Sequence, residues 1–435
     1  MPVITTLGSL HQQTNTGSLT FFGNWIGQFN GAGYGFSYFD STASQYTLGN
    51  PVAKVSTTGV LNSGISYNSG LDVTGNISNT GTFAQTFGAG YQGNTSAINK
   101  ASYVYVFKSP NIGIQLTHFS NASSSGMIGG PQSVISETAN IAYVSGTSQF
   151  RPLQLQRPGY VIKITDTTKT WETDFYPANG NAAISAAFDT TTMSLCNGVP
   201  IAAGKFTATY TANSVVIDNG FIVALNTSNG AATWTKAYVS GTVKIYPTAP
   251  VQIGTTFFST GANTYAGSPT YIMTGSPTTG NITASRIITG GNTITKIYPD
   301  PASASNLYVQ MGKNDFVKMT TGFTILYQRR FIDAGNIGIT SITGDTGSNI
   351  FINSGNVVMK VPSDGTIPQS GTYNITSNTY IYSNINTTYA MTTSNVASAN
   401  SLVVTNSGFS PGYTAIGYGV SQPGNVIITT SIVSI

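Results

Sequence analysis

Residues 220–234 read Gly-Phe-Ile-Val-Ala-Leu-Asn-Thr-Ser-Asn-Gly-Ala-Ala-Thr-Trp. An apolar run from Phe221 to Leu225 meets a polar cluster closed by Gly230, and Trp234 opens a second β-prone run. Strand formers on either side of an Asn/Ser/Gly cluster predict a β-hairpin. Gly230 suits a turn position with positive φ, which most side chains resist. The reading puts Gly220 at the start of the first strand.

Fainter copies recur along the chain. Gly159 opens Gly-Tyr-Val-Ile-Lys-Ile, which turns through 165–169 into Trp171-Glu-Thr-Asp-Phe. Further copies stand at 270–275 with 282–287, 315–319 with 323–327, 356–361 turning through 363–365, and 413–418 with 426–430. Additional short strands precede three of them, at 243–246 and 255–258, at 294–298 and 307–311, and at 339–342 and 350–352. Four short strands every ~40–60 residues predict β-propeller blades, whose sheets bury their faces only by stacking on neighbours. The expected fold is all-β, a propeller of about seven to eight four-stranded blades.

Residues 131–435 are assigned to blades and 1–130 to an irregular all-β segment forming the first of them. In that segment a strand is expected over 3–10, a polar loop over 11–17, strands over 18–25 and 34–39, and a pair at 103–107 and 114–119. Residues 49–90, rich in Gly, Ser, Thr and Asn, hold only short β runs such as 82–87. A sandwich pair is the rival for this part; a solenoid requires shorter and more uniform repeats.

The composition agrees with strands. Tyr (24) and Phe (21) are plentiful and charged residues are only 7% of 435, against about 25% in ordinary soluble domains. With 40% hydrophobic residues a sizeable core can be buried, and the pattern is not that of disorder. The net charge of +4 is scattered, with Arg329-Arg330 the one adjacent basic pair, so nucleic acid is not an expected partner. One cysteine, Cys196, excludes internal disulfides and multi-cysteine metal sites, and is expected to be a small buried hydrophobe. Neither a secretory leader nor an apolar run of about 18 residues is visible, so membrane insertion is not expected.

The 220–234 stretch resembles the repeat of quinoprotein-type (PQQ-like) β-propellers, in which Gly opens a strand ending Ala-Leu-Asn and a turn with Asn-Gly leads to a Trp on the outer strand. Gly220, Ala224, Leu225, Asn226, Asn229, Gly230 and Trp234 carry the match, and Gly159 to Trp171 is a shorter copy. The resemblance implies that Trp171 and Trp234 fill the wedge between blades, each indole N–H reaching a carbonyl there. Sugar-stacking by exposed Trp is the competing role. The family's enzymes carry calcium ligands, a catalytic Asp and a leader; none can be placed here, so no cofactor and no catalytic or metal residue is assigned.

Other candidates for chemistry are sparse. Asp166, Glu172 and Asp174 are the densest acidic group, but a glycosidase needs two carboxylates facing across a bond, and Asp166 and Asp174 read as a solvated turn and outer strand. His11 and His118 lack any nucleophile signature. Residues 345–349, Asp-Thr-Gly-Ser-Asn, lack the spacing of a calcium loop and read as a turn. Gly33 and Gly35 precede no helix pattern and form no nucleotide loop.

In its Thr/Ser/Asn/Gly texture and low charge the chain resembles bacteriophage tail and fibre proteins. The expectation is a non-enzymatic virion component, made in the host cytoplasm, docking to other virion proteins in many copies and attaching to a host-surface glycan or protein. A carbohydrate-binding surface module is the alternative, and a propeller enzyme a third class.

Overall fold

The computed structural model describes strand backbones between residues 9 and 434 and the side chains of most of residues 133–363. Every described regular element is a β-strand. The strands fall into successive antiparallel sets of four, as propeller-type repeats require. The first comprises Ile26–Phe29, Gly33–Ser37, Val52–Val55 and Leu61–Tyr67. The second comprises Asp72–Asn79, Thr86–Gln92, Ser102–Lys108 and Ile112–Phe119. Pro131–Ser136, Ile141–Thr147, Gly159–Thr165 and Thr168–Pro177 make the third. Ala183–Cys196, Val199–Tyr210, Val215–Leu225 and Ala232–Ser240 make the fourth.

Val251–Ile253, Thr256–Ala262, Thr270–Gly275 and Ile282–Thr289 form the fifth set. The linking strand Val243–Pro247 pairs with both the fourth and fifth sets and joins them into one 12-stranded sheet. Ile294–Pro299, Asn306–Met311, Asp315–Thr320 and Ile325–Ile332 form the sixth. The seventh takes Ser341–Gly344, Asn349–Ser354 and Val357–Pro362 from one end of the chain and Ser9–Asn15 from the other.

Successive sheets pack face to face. Phe221, Val223 and Leu225 point into one cluster with Tyr143, Val161, Trp171 and Phe175 of the third sheet. The alternate residues Ile222 and Ala224 point the other way, against Ile245, Phe257, Tyr271 and Met273. A strand buried on both faces reads as a continuous apolar run, and this is why residues 221–225 are so sharply patterned. The next interface joins Phe258, Ile272 and Ile288 to Leu307, Val309 and Met319. The one after joins Tyr308, Phe316 and Phe331 to Ile342, Ile350, Ile352 and Met359.

Four expectations need correction. His11 to Asn15 are strand rather than loop, because Ser9–Asn15 has hydrogen-bonding neighbours on both sides, Val357–Pro362 and Ile428–Ser434. Residues 49–90 hold four strands of the first two sheets, so the Gly/Ser/Thr-rich texture conceals regular pairing. Tyr413–Gly417 and Ile428–Ser434 do not make a unit of their own; the former pairs with Ile112–Phe119 and the latter with Ser9–Asn15. Gly220 does not open its strand but lies inside Val215–Leu225, opposite Lys205. A Cβ there would stand 2.6 Å from Pro247 Cδ and 2.8 Å from Tyr246 Cα. The glycine admits the close passage of the linking strand.

Candidate functional site

The side chains with the most chemical potential gather where one sheet meets the turn of the next. Trp171, on the fourth strand of the third sheet, donates its indole Nε1–H to Thr227 O at 3.0 Å, in the turn of the fourth sheet. Lys163, directly opposite Trp171 in the hairpin, donates to the same carbonyl at 2.9 Å. Gly230 closes that turn with φ 72°, its N–H donating to Asn226 O at 2.8 Å. A Cβ on Gly230 would stand 2.6 Å from Trp171 Cε3. Thr173 Oγ1 completes the contact by donating to Gly230 O at 2.7 Å. Gly159 begins its strand, buried, between Thr147 and Phe175.

The same arrangement recurs one interface on. Trp234 Nε1–H donates to Pro277 O at 2.9 Å, and its ring lies on Gly280, whose φ is 70°. Tyr238 OH donates to Gly280 O at 3.1 Å. At the third interface the sizes are exchanged. Ala284 pairs with Thr274 as Trp234 pairs with Ala224, and the turn position that Gly230 holds in its turn is taken by Phe323. Phe323 keeps a positive φ of 68° and packs its ring 6.1 Å from that of Phe258, in the cluster that also takes Ala284. Bulk lost from the strand is supplied by the turn.

At the fourth interface a phenol replaces the indole. Tyr327 pairs with Lys318 as Trp171 pairs with Lys163, and Tyr327 OH donates to Ser363 O at 3.4 Å. Tyr308 OH donates to the same oxygen at 3.3 Å, and Lys318 Nζ adds a short hydrogen bond. Lys318 also pairs with Asp300 Oδ2 at 2.7 Å, both side chains buried, and its ammonium stands 5.2 Å from the Tyr308 ring centre. Asp300 accepts in addition from Ala302 N at 3.1 Å. This ion pair is sealed and hydrogen-bonded, as a buried pair must be. It was absent from the sequence reading, although a lone lysine inside Phe-Val-Lys-Met (316–319) is the trace that could have shown it.

The acidic group from the sequence is not brought together as a site. Asp166 lies outside the described residues, Asp174 is on a strand whose side chain is not described, and Glu172 is buried beside Lys169 at 3.4 Å. Glu172 is thus part of the interior, although the strand holding it was expected to be a solvated face. His11 and His118 are on strands without described side chains, and 345–348 lies outside the described residues. Gly33 and Gly35 are in the strand Gly33–Ser37.

Burial governs the titrating groups. It pushes the Cys196 thiol from 9.0 up to about 11, with Ser194 pulling weakly the other way. It also raises the phenols of Tyr160, Tyr238 and Tyr298 far above their ordinary value of 10.0. Tyr143 is raised too, by burial first and then by its 2.6 Å hydrogen bond to the Glu137 carboxylate. Neutral phenols at every pH near 7 serve as hydrogen-bond donors and packing groups. Among the described residues no three His, Cys, Asp or Glu side chains gather as a metal site, and no helix is long and apolar enough to cross a membrane.

No family model matches the chain, and no curated protein matches it. Solved structures give distant likenesses. BamB from Moraxella catarrhalis is 11% identical with a TM-score of 0.38, over 80% of this chain and 99% of that one. YCF48 from Cyanidioschyzon merolae is 12% identical at 0.39, over 82% and 100%. Raptor from Chaetomium thermophilum is 10% identical at 0.42, over 83% of this chain and 30% of that one. Among the described residues, the chain is built of repeated four-stranded antiparallel sheets in which Trp171, Trp234, Tyr238, Tyr327, Lys163 and Lys318 hold one sheet to the next.

Proposed function

We propose that the chain is a closed seven-bladed β-propeller and a non-enzymatic structural component of a bacteriophage virion, in the tail or an attached fibre. It acts by docking to other virion proteins, with attachment to a host surface as a second use of the same loops. The observation that carries this reading is the employment of the reactive and aromatic side chains as inter-sheet fastenings: Trp171, Trp234, Lys318 and Tyr327 all end on a neighbour's turn. A rigid ring works through contact area rather than through reactive groups.

The contact area has a sided distribution. In an antiparallel meander successive connections alternate between the two ends of the strands. The fastening turns, 226–230 and 276–280, share one rim with the tight hairpin at Asn197-Gly198. The other rim takes the opposite strand ends, at Thr147 and Gly159, Tyr210 and Val215, and Ala262 and Thr270. There the fourth sheet is extended, its first three strands running to 14, 12 and 11 residues, with Gln156–Arg157 pairing in parallel to Ala186 and Ala187. This raised rim is the docking face.

Sugar-stacking through Trp171 or Trp234 is disfavoured, since each ring lies on a glycine of the next sheet. Mass spectrometry of purified particles tests the proposal: the chain is expected at stoichiometric, multi-copy abundance, and its absence from particles overturns the virion role. A low-resolution map of the particle then places it.

A further inference from the structure

The outer strand of a blade ordinarily leaves an open hydrogen-bonding edge, which proteins guard with lysine, proline or a covering segment. In this chain the edges are taken by its own C-terminal part. Asn378–Asn384 pairs with Ile325–Ile332 of the sixth sheet, and Ala390–Thr393 with Ile282–Thr289 of the fifth. Ala397–Ala399 pairs with Ala232–Ser240 of the fourth, and Leu402–Thr405 with Thr168–Pro177 of the third. Tyr413–Gly417 pairs with Ile112–Phe119 of the second, Val420–Ser421 with Leu61–Tyr67 of the first, and Ile428–Ser434 with Ser9–Asn15 of the seventh. All these pairings are antiparallel, and the sheets are visited in the reverse of their order along the chain.

We propose that the seven strands from Asn378–Asn384 to Ile428–Ser434 form a circumferential strap that passes once around the ring, caps each outer edge and latches on the N-terminal strand. The order of visits is what distinguishes a strap from incidental edge contacts, because each step moves to the adjacent sheet. Strap strands that pair with neighbouring sheets follow one another within a few residues, Leu402–Thr405 after Ala399 and Val420–Ser421 after Gly417, so the sheets are held together closely. Two sheets cannot part at an interface without breaking strand pairs on the strap as well as the fastenings within. The low charge gives the strap a second reason. At 7% charged residues the chain has few lysines with which to guard edges, and a strap does so without them. Because it is tethered, its effective concentration at each edge is high, and strands of two to five residues suffice where free peptides would not bind.

The proposal rests on the closed-ring reading and is independent of the virion role. The test uses the full chain with a protease site inserted in the connection 406–412, cut after folding, and followed by amide hydrogen exchange. In the uncut protein, outward amides of Thr168–Pro177, Ala232–Ser240, Ile282–Thr289 and Ile325–Ile332 are expected to exchange at least about tenfold slower than open edges, the factor given by ~1.4 kcal/mol. After cutting, both pieces are expected to co-elute, with a lower denaturation midpoint and faster exchange at the same amides. Unprotected outward amides in the uncut protein, or an unchanged midpoint after cutting, overturns the strap. Protection within Ser9–Asn15 toward Val357–Pro362 reports ring closure by itself, so failure of the strap and failure of the ring are told apart.

Discussion

Trp171 and Gly230 belong to different sheets and fit as ring and socket: a single carbon added to the glycine would stand 2.6 Å from Trp171 Cε3, while the indole N–H holds Thr227 O at 3.0 Å. Gly198 has nearly the same φ, 73° against 72°, yet a Cβ there meets nothing within 4 Å. The two glycines separate backbone strain from lost space. Gly198→Ala is expected to cost about 1–2 kcal/mol for the left-handed backbone alone. Gly230→Ala adds overpacking of about 1–3 kcal/mol. Urea unfolding of the two variants measures the difference, and equal costs would refute the socket.

The indole hydrogen bond and the indole bulk can be resolved at the next interface. Trp234→Phe keeps most of the ring and removes the donor to Pro277 O, for about 1 kcal/mol. Trp234→Ala opens a cavity over Gly280 and is expected to cost about 3–5 kcal/mol. Calorimetric or denaturant midpoints check the order.

Ala284 and Phe323 make the exchanged version of the same contact, so they can be exchanged back. Ala284→Trp alone overpacks and Phe323→Gly alone leaves a void, each costing about 1–4 kcal/mol. The double variant is expected to recover most of the loss, giving a coupling of about 1–3 kcal/mol in a double-mutant cycle. Additive losses would show that the two positions do not share one space.

Lys318→Met leaves the buried Asp300 carboxylate without its 2.7 Å partner and is expected to cost about 3–5 kcal/mol. Adding Asp300→Asn removes the stranded charge and restores part of the stability. Unfolding free energies of the single and double variants decide it.

The raised thiol and phenols set the alkaline limit. A group held neutral in the folded state, with its folded value above its unfolded one, stabilises fully below the unfolded value and loses that contribution as pH rises toward the folded one. For Cys196 the loss runs from 9.0 to about 11. For Tyr143, Tyr160, Tyr238 and Tyr298 it begins near 10.0. Stability is therefore expected to be insensitive to these groups at pH 7 and to fall steeply above about 10. Tyrosinate absorbance should show a late class that ionises only with unfolding.

What the sequence disclosed was the part whose partners are near in the chain. The hairpins at 159–175 and 220–234 combine a turn residue with apolar runs, and both signals act over a few residues. Glycine's two uses are not separable by sequence: Gly230 serves a turn, Gly220 a close crossing by residues 245–247. Asp300 and Ser363 gave no sign of meeting Lys318, since the cluster spans three stretches brought together by packing. Strands such as Ala397–Ala399 are too short for any periodicity and acquire their form from an edge more than a hundred residues away. Equally, His-Gln-Gln-Thr-Asn (11–15) reads as loop because its two neighbours lie at the far end of the chain.

That last strand has a temporal consequence. Ser9–Asn15 is the earliest of the described strands to be synthesised, yet its inner neighbour ends at Pro362 and its outer one at Ser434. At ordinary translation speeds roughly 350 residues must follow, a wait of about 20–70 s, before its first partner exists. Through that interval neither of these native partners is yet present. Its glutamines, threonine and asparagine keep it wettable while it waits, where a Val/Ile strand of equal length would invite aggregation. The polar spelling that disguises this strand on the page is what lets it remain available on the ribosome.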